Sequence, residues 1–342
     1  MNKKLQSLHS HTLLSDGKLT HEASLKIAER VGIEYLAFTE HDVLPTEAQI
    51  KALRELKSSV KWLIGVELSA GQPKELGGGS NGPHMIGLFV DPFDKGLLEH
   101  SKKSLDQRII RMKKMVKGLK SLGFDITIQD VEKATTGESM GQPHLVAALK
   151  SKDKNLKLIG EYMEKMRKAA ESDPKVDELY QNVIQQGERQ FVYALFLRED
   201  GFMSDQVRVP YEYWLDFDQS VKLIRKAGGI ASMAHYAMHK VSFPLELVGQ
   251  LLKGNRVDGA EIVYGLWTKG TNEEKQTEED RAKIKDWVKE YGRIATGGAD
   301  AHSEKDFRDF AENVEYSGET VGMVENVLEK KQVLVEWTNF RS

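Results

Sequence analysis

The sequence predicts an α/β protein: a barrel of seven strands, (β/α)7, interrupted by a mainly helical insertion domain. Short apolar runs alternate with amphipathic helical patterns in the first and last thirds of the chain, as a strand-helix repeat requires. Chemistry-bearing residues recur at the ends of those runs, which is where barrel enzymes assemble their sites. The middle of the chain lacks the alternation and is rich in charged helical patterns.

In chain order, the strand candidates are LQSLHSH (5–11), EYLAFTEH (34–41), WLIGVELSA (62–70) and HMIGLFV (84–90). After a long gap come GGIASMAH (228–235), DGAEIVYG (258–265) and RIATGGADAH (293–302). The first helix pattern, 20–32, opens on a threonine suited to cap it and closes on a glycine suited to end it. The segment 217–229 repeats the pattern before the fifth strand. This alternation leads us to expect a parallel α/β architecture. PKELGGGSNGP (73–83) reads as a turn-rich connection between two strands. The expected organisation is a first barrel segment over 1–98, the insertion over 99–215 and a second barrel segment over 216–342. Within the insertion, 100–120 carries eight Lys or Arg and one acid, Asp106, which reads first as a solvated helix face. A basic wall that attracts phosphorylated substrates is the sharper alternative.

Composition narrows the function. Lys plus Arg is 49 against 52 for Asp plus Glu, a net charge of −3, so long duplex nucleic acid is not an expected partner. The absence of cysteine excludes disulfides and thiolate metal sites, and a metal must use His, carboxylate or water. The opening residues MNKKLQSLHSH show no apolar run, and no apolar stretch is long enough to span a membrane. A cytoplasmic location is the expectation.

His9 and His11 are two apart, so on an extended strand both side chains face one side. Asp16 follows in a loop; His41 closes the second strand and Glu67 lies near the end of the third. His84 begins the fourth strand, His235 ends the fifth, and Asp300 and His302 form a second i, i+2 pair after the seventh. Barrel closure would set the first strand against the seventh and bring the two pairs together. Any one of these residues alone reads as structural. Nine at successive strand ends form an acidic, imidazole-rich cluster whose desolvation and repulsion bound divalent cations would relieve. His21 and His100, isolated on helix patterns, read as surface residues without a role; His239 reads as a pocket-lining residue, and Glu261 as a barrel support. Arg108 and Arg111 are candidate phosphate contacts that a helix surface explains equally well.

The motifs HSHTLLSDG, FTEHD, GVELSA, HMIGLF, GQPH, MAHY and TGGADAH occur in the order found in the PHP (polymerase and histidinol phosphatase) superfamily, which the chain resembles over roughly two thirds of its length. The resemblance is to the stand-alone branch with a helical insertion. It implies a distorted seven-stranded barrel and two or three divalent metal ions: zinc, manganese or iron. It also implies that His9, His11, Glu67 and Asp300 hold one metal, that Glu67 bridges to a second held by His84 and His235, and that Asp16, His41 and His302 hold a third. In GQPH, Gln142 stands where relatives of this branch commonly carry Arg; Gln can hydrogen-bond a phosphate but lacks the charge and the bidentate fork. His144 is the candidate phosphate ligand or proton donor. Glu40, where Asp is more usual, and Tyr236, where Pro is common, are smaller departures.

The expected activity is metal-dependent hydrolysis of a phosphate ester of a small molecule, a nucleotide foremost, with a water held between cations as nucleophile. The alternatives are 5'-3' exonuclease action on short oligonucleotides, a histidinol-phosphate type of phosphatase and, in another class, a non-catalytic metal-stabilised scaffold.

Overall fold

The computed structural model describes residues 4–80, 82–135 and 139–340. It divides into two compact units, one made of Met1–Ser104 and Tyr213–Ser342, the other of Leu105–Glu212.

The first unit is a seven-stranded sheet in the order β1-β2-β3-β4-β5-β6-β7. The strands are β1 Leu5–Ser7, β2 Ile33–Phe38, β3 Lys61–Ser69, β4 His84–Leu88, β5 Ile230–Met233, β6 Gly259–Val263 and β7 Ile294–Gly297. Backbone bonds from Leu8 N to Gly297 O (3.0 Å) and from His11 N to Ala301 O (2.9 Å) join the two edges, and Ser10 bridges Ala301 in parallel. The sheet is therefore a nearly closed barrel. Closure requires a close approach: a Cβ on Gly298 would lie 2.7 Å from His9 N and 2.8 Å from Ser7 Oγ.

The expected parallel architecture is corrected at one strand. β4 runs antiparallel to both β3 and β5. A parallel connection is usually made by a crossover helix. Between β3 and β4 the chain offers only a Gly-rich loop with one 3-10 turn, Lys74–Leu76. Reversal puts His84, the first residue of β4, opposite Ser69, the last of β3. It thereby joins the end of the barrel where the parallel strands finish.

Helices surround this sheet: α1 His21–Val31, α2 Glu47–Glu55, the start of α3 Lys95–Ser121, and the helices after the insertion. Thr20 Oγ1 accepts the Ala23 N–H at the start of α1, and Gly32 at φ 84° ends it in the left-handed conformation a glycine adopts without Cβ cost. Trp62, Phe38 and Leu36 are buried to 1% exposure or less, each worth about 1.5–3 kcal/mol.

The second unit holds the rest of α3 and α4 Ile128–Ala134, α5 Gln142–Lys150, α6 Asp153–Ala170, α7 Pro174–Gln186 and α8 Ser204–Val207. Its core includes Met115, Leu119, Leu145, Met166 and Val183, with Phe124, Tyr162 and Phe196 packed ring to ring. Along α3 the lysines at 102, 103, 113, 114, 117 and 120 are exposed. Arg108 and Arg111 lie over the Tyr211 ring instead, and Arg111 Nε donates to Val209 O.

The chain then returns through α9 Phe217–Lys226, α10 Leu245–Lys253, α11 Glu274–Glu290, α12 Glu304–Glu312, α13 Val314–Ser317 and α14 Met323–Lys330. α9 packs on β5, α11 on β6 and α14 on β7. No described helix is long and apolar enough to cross a membrane.

Candidate metal centre

Strand register builds the centre. His9 and His11 leave β1 on one face, and the bonds that close the barrel bring them to the segment carrying Asp300. His41 bridges Glu67 in parallel register just past β2, with Glu67 N donating to Glu40 O and Asp42 N to Glu67 O. Ala234 N donates to His84 O, which sets His84 beside the end of β5 and hence beside His235. Asp42 (φ 54°) and Asp300 (φ 47°) both take left-handed backbone, a conformation that is costly for residues with a Cβ and clusters at functional sites.

The donor atoms converge. His9 Nε2 and His11 Nε2 are 3.1 Å apart. His9 Nε2 stands 3.4 Å from both Glu67 Oε2 and Asp300 Oδ1, and His11 Nε2 stands 3.3 Å from the same two oxygens. Two ligands at about 2.1 Å on a tetrahedral ion stand roughly 3.4 Å apart, so this spacing suits a shared cation. Glu67 Oε1 meets His84 Nδ1 and His235 Nε2, each at 2.8 Å. Glu67 Oε2 is buried and makes no hydrogen bond, although His41 Nδ1 is 2.9 Å away; His235 Nδ1 is likewise buried without a partner. A buried carboxylate oxygen without a hydrogen bond is expensive, and a cation shared with the imidazoles around it would satisfy it.

Around Asp16 lie His302 Nε2 at 3.5 Å, His41 Nε2 at 3.7 Å and His11 Nδ1 at 3.8 Å. The His11 ring packs against both His41 and His302, each with its centroid 4.4 Å away. The groups able to hold a metal overlap: His11 with Asp16, His41 and His302; His9 with His11 and Glu67; His9 with His235 and Asp300; His41 with Glu67 and His84; and His84 with His235 and His239. All nine residues singled out from the sequence thus fall within one connected set.

The electrostatics fit a cation. Burial pushes the Glu67 carboxyl up, but the imidazoles of His41, His84 and His9 outweigh it and hold it well below the usual carboxylate range. Asp300 behaves alike, with His9, His11 and His235 opposing its burial. Burial lowers His11, yet Asp300 and Glu67 raise it to about 10. The carboxylates demand positive charge, and without a metal the imidazoles supply it by protonation. Burial, His84 and His235 lower His239 to about 3, so it stays neutral near pH 7.

Outer contacts set the donors. Glu261 accepts His9 Nδ1–H at 2.9 Å and His235 N–H at 2.7 Å, which turns His9 Nε2 toward the centre. His302 Nδ1–H donates to Asp300 O at 3.0 Å and frees Nε2 for the Asp16 side. Glu40 accepts from Thr12 N, Thr12 Oγ1 and Ser15 Oγ and fixes the loop that leads to Asp16. The sequence marked Glu261 only as a support. Its sign was an acid in the otherwise apolar run of β6.

Two histidines expected at the surface are corrected. His100 is buried, with Nε2 2.9 Å from Asp42 Oδ1 and Nδ1 3.1 Å from Tyr213 Oη. His21 is half-buried, edge-on to Phe38. His144 caps α5, its Nδ1 accepting the Gly141 N–H at 2.9 Å. Gln142 opens the same helix, and Arg108 lies on α3. None of these three belongs to the described metal-holding groups.

The barrel gathers at one end a donor set suited to divalent cations. The PHP domain model matches residues 7–337, and the chain belongs to that family. Over 150 residues it is 30% identical to phosphoribosyl 1,2-cyclic phosphate 1,2-diphosphodiesterase of Eggerthella lenta, an alignment covering 43% of this chain. The chain spans about half of that relative's length, 55%. Two solved structures share the fold. One is an amidohydrolase from Chromobacterium violaceum with bound sulfate and no metal (TM-score 0.60, 21% identity, 87% of each chain). The other is a candidate metal-dependent phosphoesterase from Bifidobacterium adolescentis (TM-score 0.61, 20% identity, 87% of this chain and 88% of that one).

Proposed function

We propose that the protein releases phosphate from a small phosphate ester, a nucleotide foremost, using two or three divalent cations of zinc, manganese or iron. The observation that carries this reading is Glu67, whose two carboxylate oxygens face two different sets of imidazoles, one of them with no hydrogen-bond partner. In this reading His9, His11, Glu67 and Asp300 hold one cation, Glu67, His84 and His235 a second, and Asp16, His41 and His302 a third. The bound cations supply an activated water and neutralise charge on the phosphoryl oxygens.

The remaining work falls to the chain's own groups. Glu261 keeps the proton of His9 on Nδ1, and the Asp300 carbonyl keeps that of His302 on Nδ1, so both rings present Nε2. Gln142, His144 and Arg108 are the proposed substrate contacts, with His144 as the donor of a proton to the leaving alkoxide. The Eggerthella relative is named for a phosphoribosyl ester, which supports a ribose-bearing substrate and favours a phosphodiester as the second reading. The test is phosphate release from a panel of nucleoside monophosphates and cyclic ribose phosphates, with Mn²⁺, Zn²⁺ or Fe²⁺ supplied. Release from a nucleotide that His41→Ala abolishes is the expected result. Fully metallated protein that cleaves no ester would refute the reading, and so would a His41→Ala variant with an unchanged rate.

A further inference from the structure

Beside the metal centre, within the barrel unit, lies a cleft of about 660 Å³ lined by Trp267 and by Asp300. Its size is that of a small-molecule site. Trp267 is 46% exposed, an unusual state for so large an apolar ring next to buried imidazoles. It meets the His235 ring edge to face, with centroids 6.3 Å apart and planes at 75°.

The ring is placed rather than loose. Trp267 sits in a 3-10 turn, Leu266–Thr268, after β6. Gly265 opens the turn at φ 81°, where a Cβ would lie 2.7 Å from Thr277 Cγ2. Thr268 closes the turn through its N–H (2.9 Å) and Oγ1 (2.8 Å), both donating to Gly265 O. An ion pair of 2.6 Å from Lys240 to Glu273 ties this loop to the one after β5, where Met238 and Val241 are 62% and 96% exposed.

The charge of the cleft says what does not bind there. Asp300, Asp306, Asp309 and Glu312 line it against Lys269 and Lys305. Both lysines are engaged, Lys305 with Asp309 and Lys269 with Glu315. An anionic phosphoryl group is repelled from such walls and drawn to cations at the centre. A neutral, planar group with N–H donors suits the cleft: it stacks on the indole and donates to the carboxylates.

We propose that Trp267 is the platform on which the base of a nucleotide substrate stacks while its phosphate is cleaved at the metal centre. This rests on the nucleotide reading above. Stacking of a base on an aromatic side chain is worth roughly a 5- to 150-fold change on alanine substitution.

The experiment compares kcat and KM for adenosine 5'-monophosphate and ribose 5-phosphate in wild type, Trp267→Ala, Trp267→Leu and Trp267→Phe, with metal content and circular dichroism recorded for each. The expected result is a loss of about 10- to 100-fold in kcat/KM for the nucleotide in the Ala and Leu variants, carried by KM. Ribose 5-phosphate turnover and metal content stay unchanged, and Phe restores most of the loss. Nucleotide cleavage that is unaffected, or that falls in parallel with ribose 5-phosphate, overturns the platform and leaves the nucleotide reading standing. Wild type that cleaves ribose 5-phosphate as well as the nucleotide, or that cleaves neither, overturns both.

Discussion

At the scale of single residues the centre turns on two glutamates that do different things. Glu67 offers one oxygen to His84 and His235 and the other to His9, His11 and His41. Glu67→Gln keeps the shape but removes the charge and puts an amide among the imidazoles. Loss of activity and of bound metal should exceed the 10- to 100-fold typical of an outer partner, read by metal analysis and turnover. Glu261 touches His9 Nδ1 and His235 N. Glu261→Gln should cost about 10- to 100-fold in metal affinity or rate while the fold persists by circular dichroism; an unchanged metal affinity and rate would deny it that role. The two i, i+2 pairs, His9 with His11 and Asp300 with His302, were legible because a strand's two-residue period puts both members on one side. His100 was not. Its partner Asp42 lies far away in sequence, and nothing local on a helix pattern signals an inward turn.

At the scale of elements, strand ends and their locks position the donors. The glycine loop before β4 was legible as a loop, but reversal of the strand was read only from pairing, because an apolar run has no direction. β6 is anchored by Asp258, a buried carboxylate that accepts the Ala231 N–H of β5 and pairs with Arg225 of α9 and with Lys331. Burial opposes its ionisation, but Arg225, the Ala231 N–H and Lys331 hold its carboxyl below the ordinary value of 3.8. The folded state therefore binds this proton less readily than the unfolded chain does. The stabilisation is complete above the unfolded pKa and is lost as pH falls through the lower, folded one. Asp258→Asn should cost about 1–3 kcal/mol in urea unfolding at pH 7, and the gap to wild type should narrow below about pH 4. A gap that is constant with pH would contradict the ionic role. Gly298→Ala tests the seam, since its Cβ would press on His9 N. It should lower both Tm and metal affinity, whereas a surface glycine such as Gly292 replaced by Ala should leave metal affinity unchanged.

For the whole molecule, the repeat of strand and helix gave the α/β class, because each strand's apolar run and each helix's cap are local signals, and the donor pairs on the first and last strands pointed to closure into a barrel. The barrel unit carries a cluster of buried carboxylates and imidazoles that only cations or protons can satisfy, so metal and fold are linked. Cation at about 100 times its dissociation constant adds about 2.7 kcal/mol to stability, and chelation should lower Tm by a matching amount. Metal analysis of the purified protein, followed by phosphate release before and after chelation and titration with Mn²⁺, decides whether the cluster is a working metal centre. At least two divalent ions per chain, no turnover after chelation, and recovery that tracks cation added are expected. Full turnover by metal-free protein, or failure of the chain to bind any divalent ion, would contradict that role.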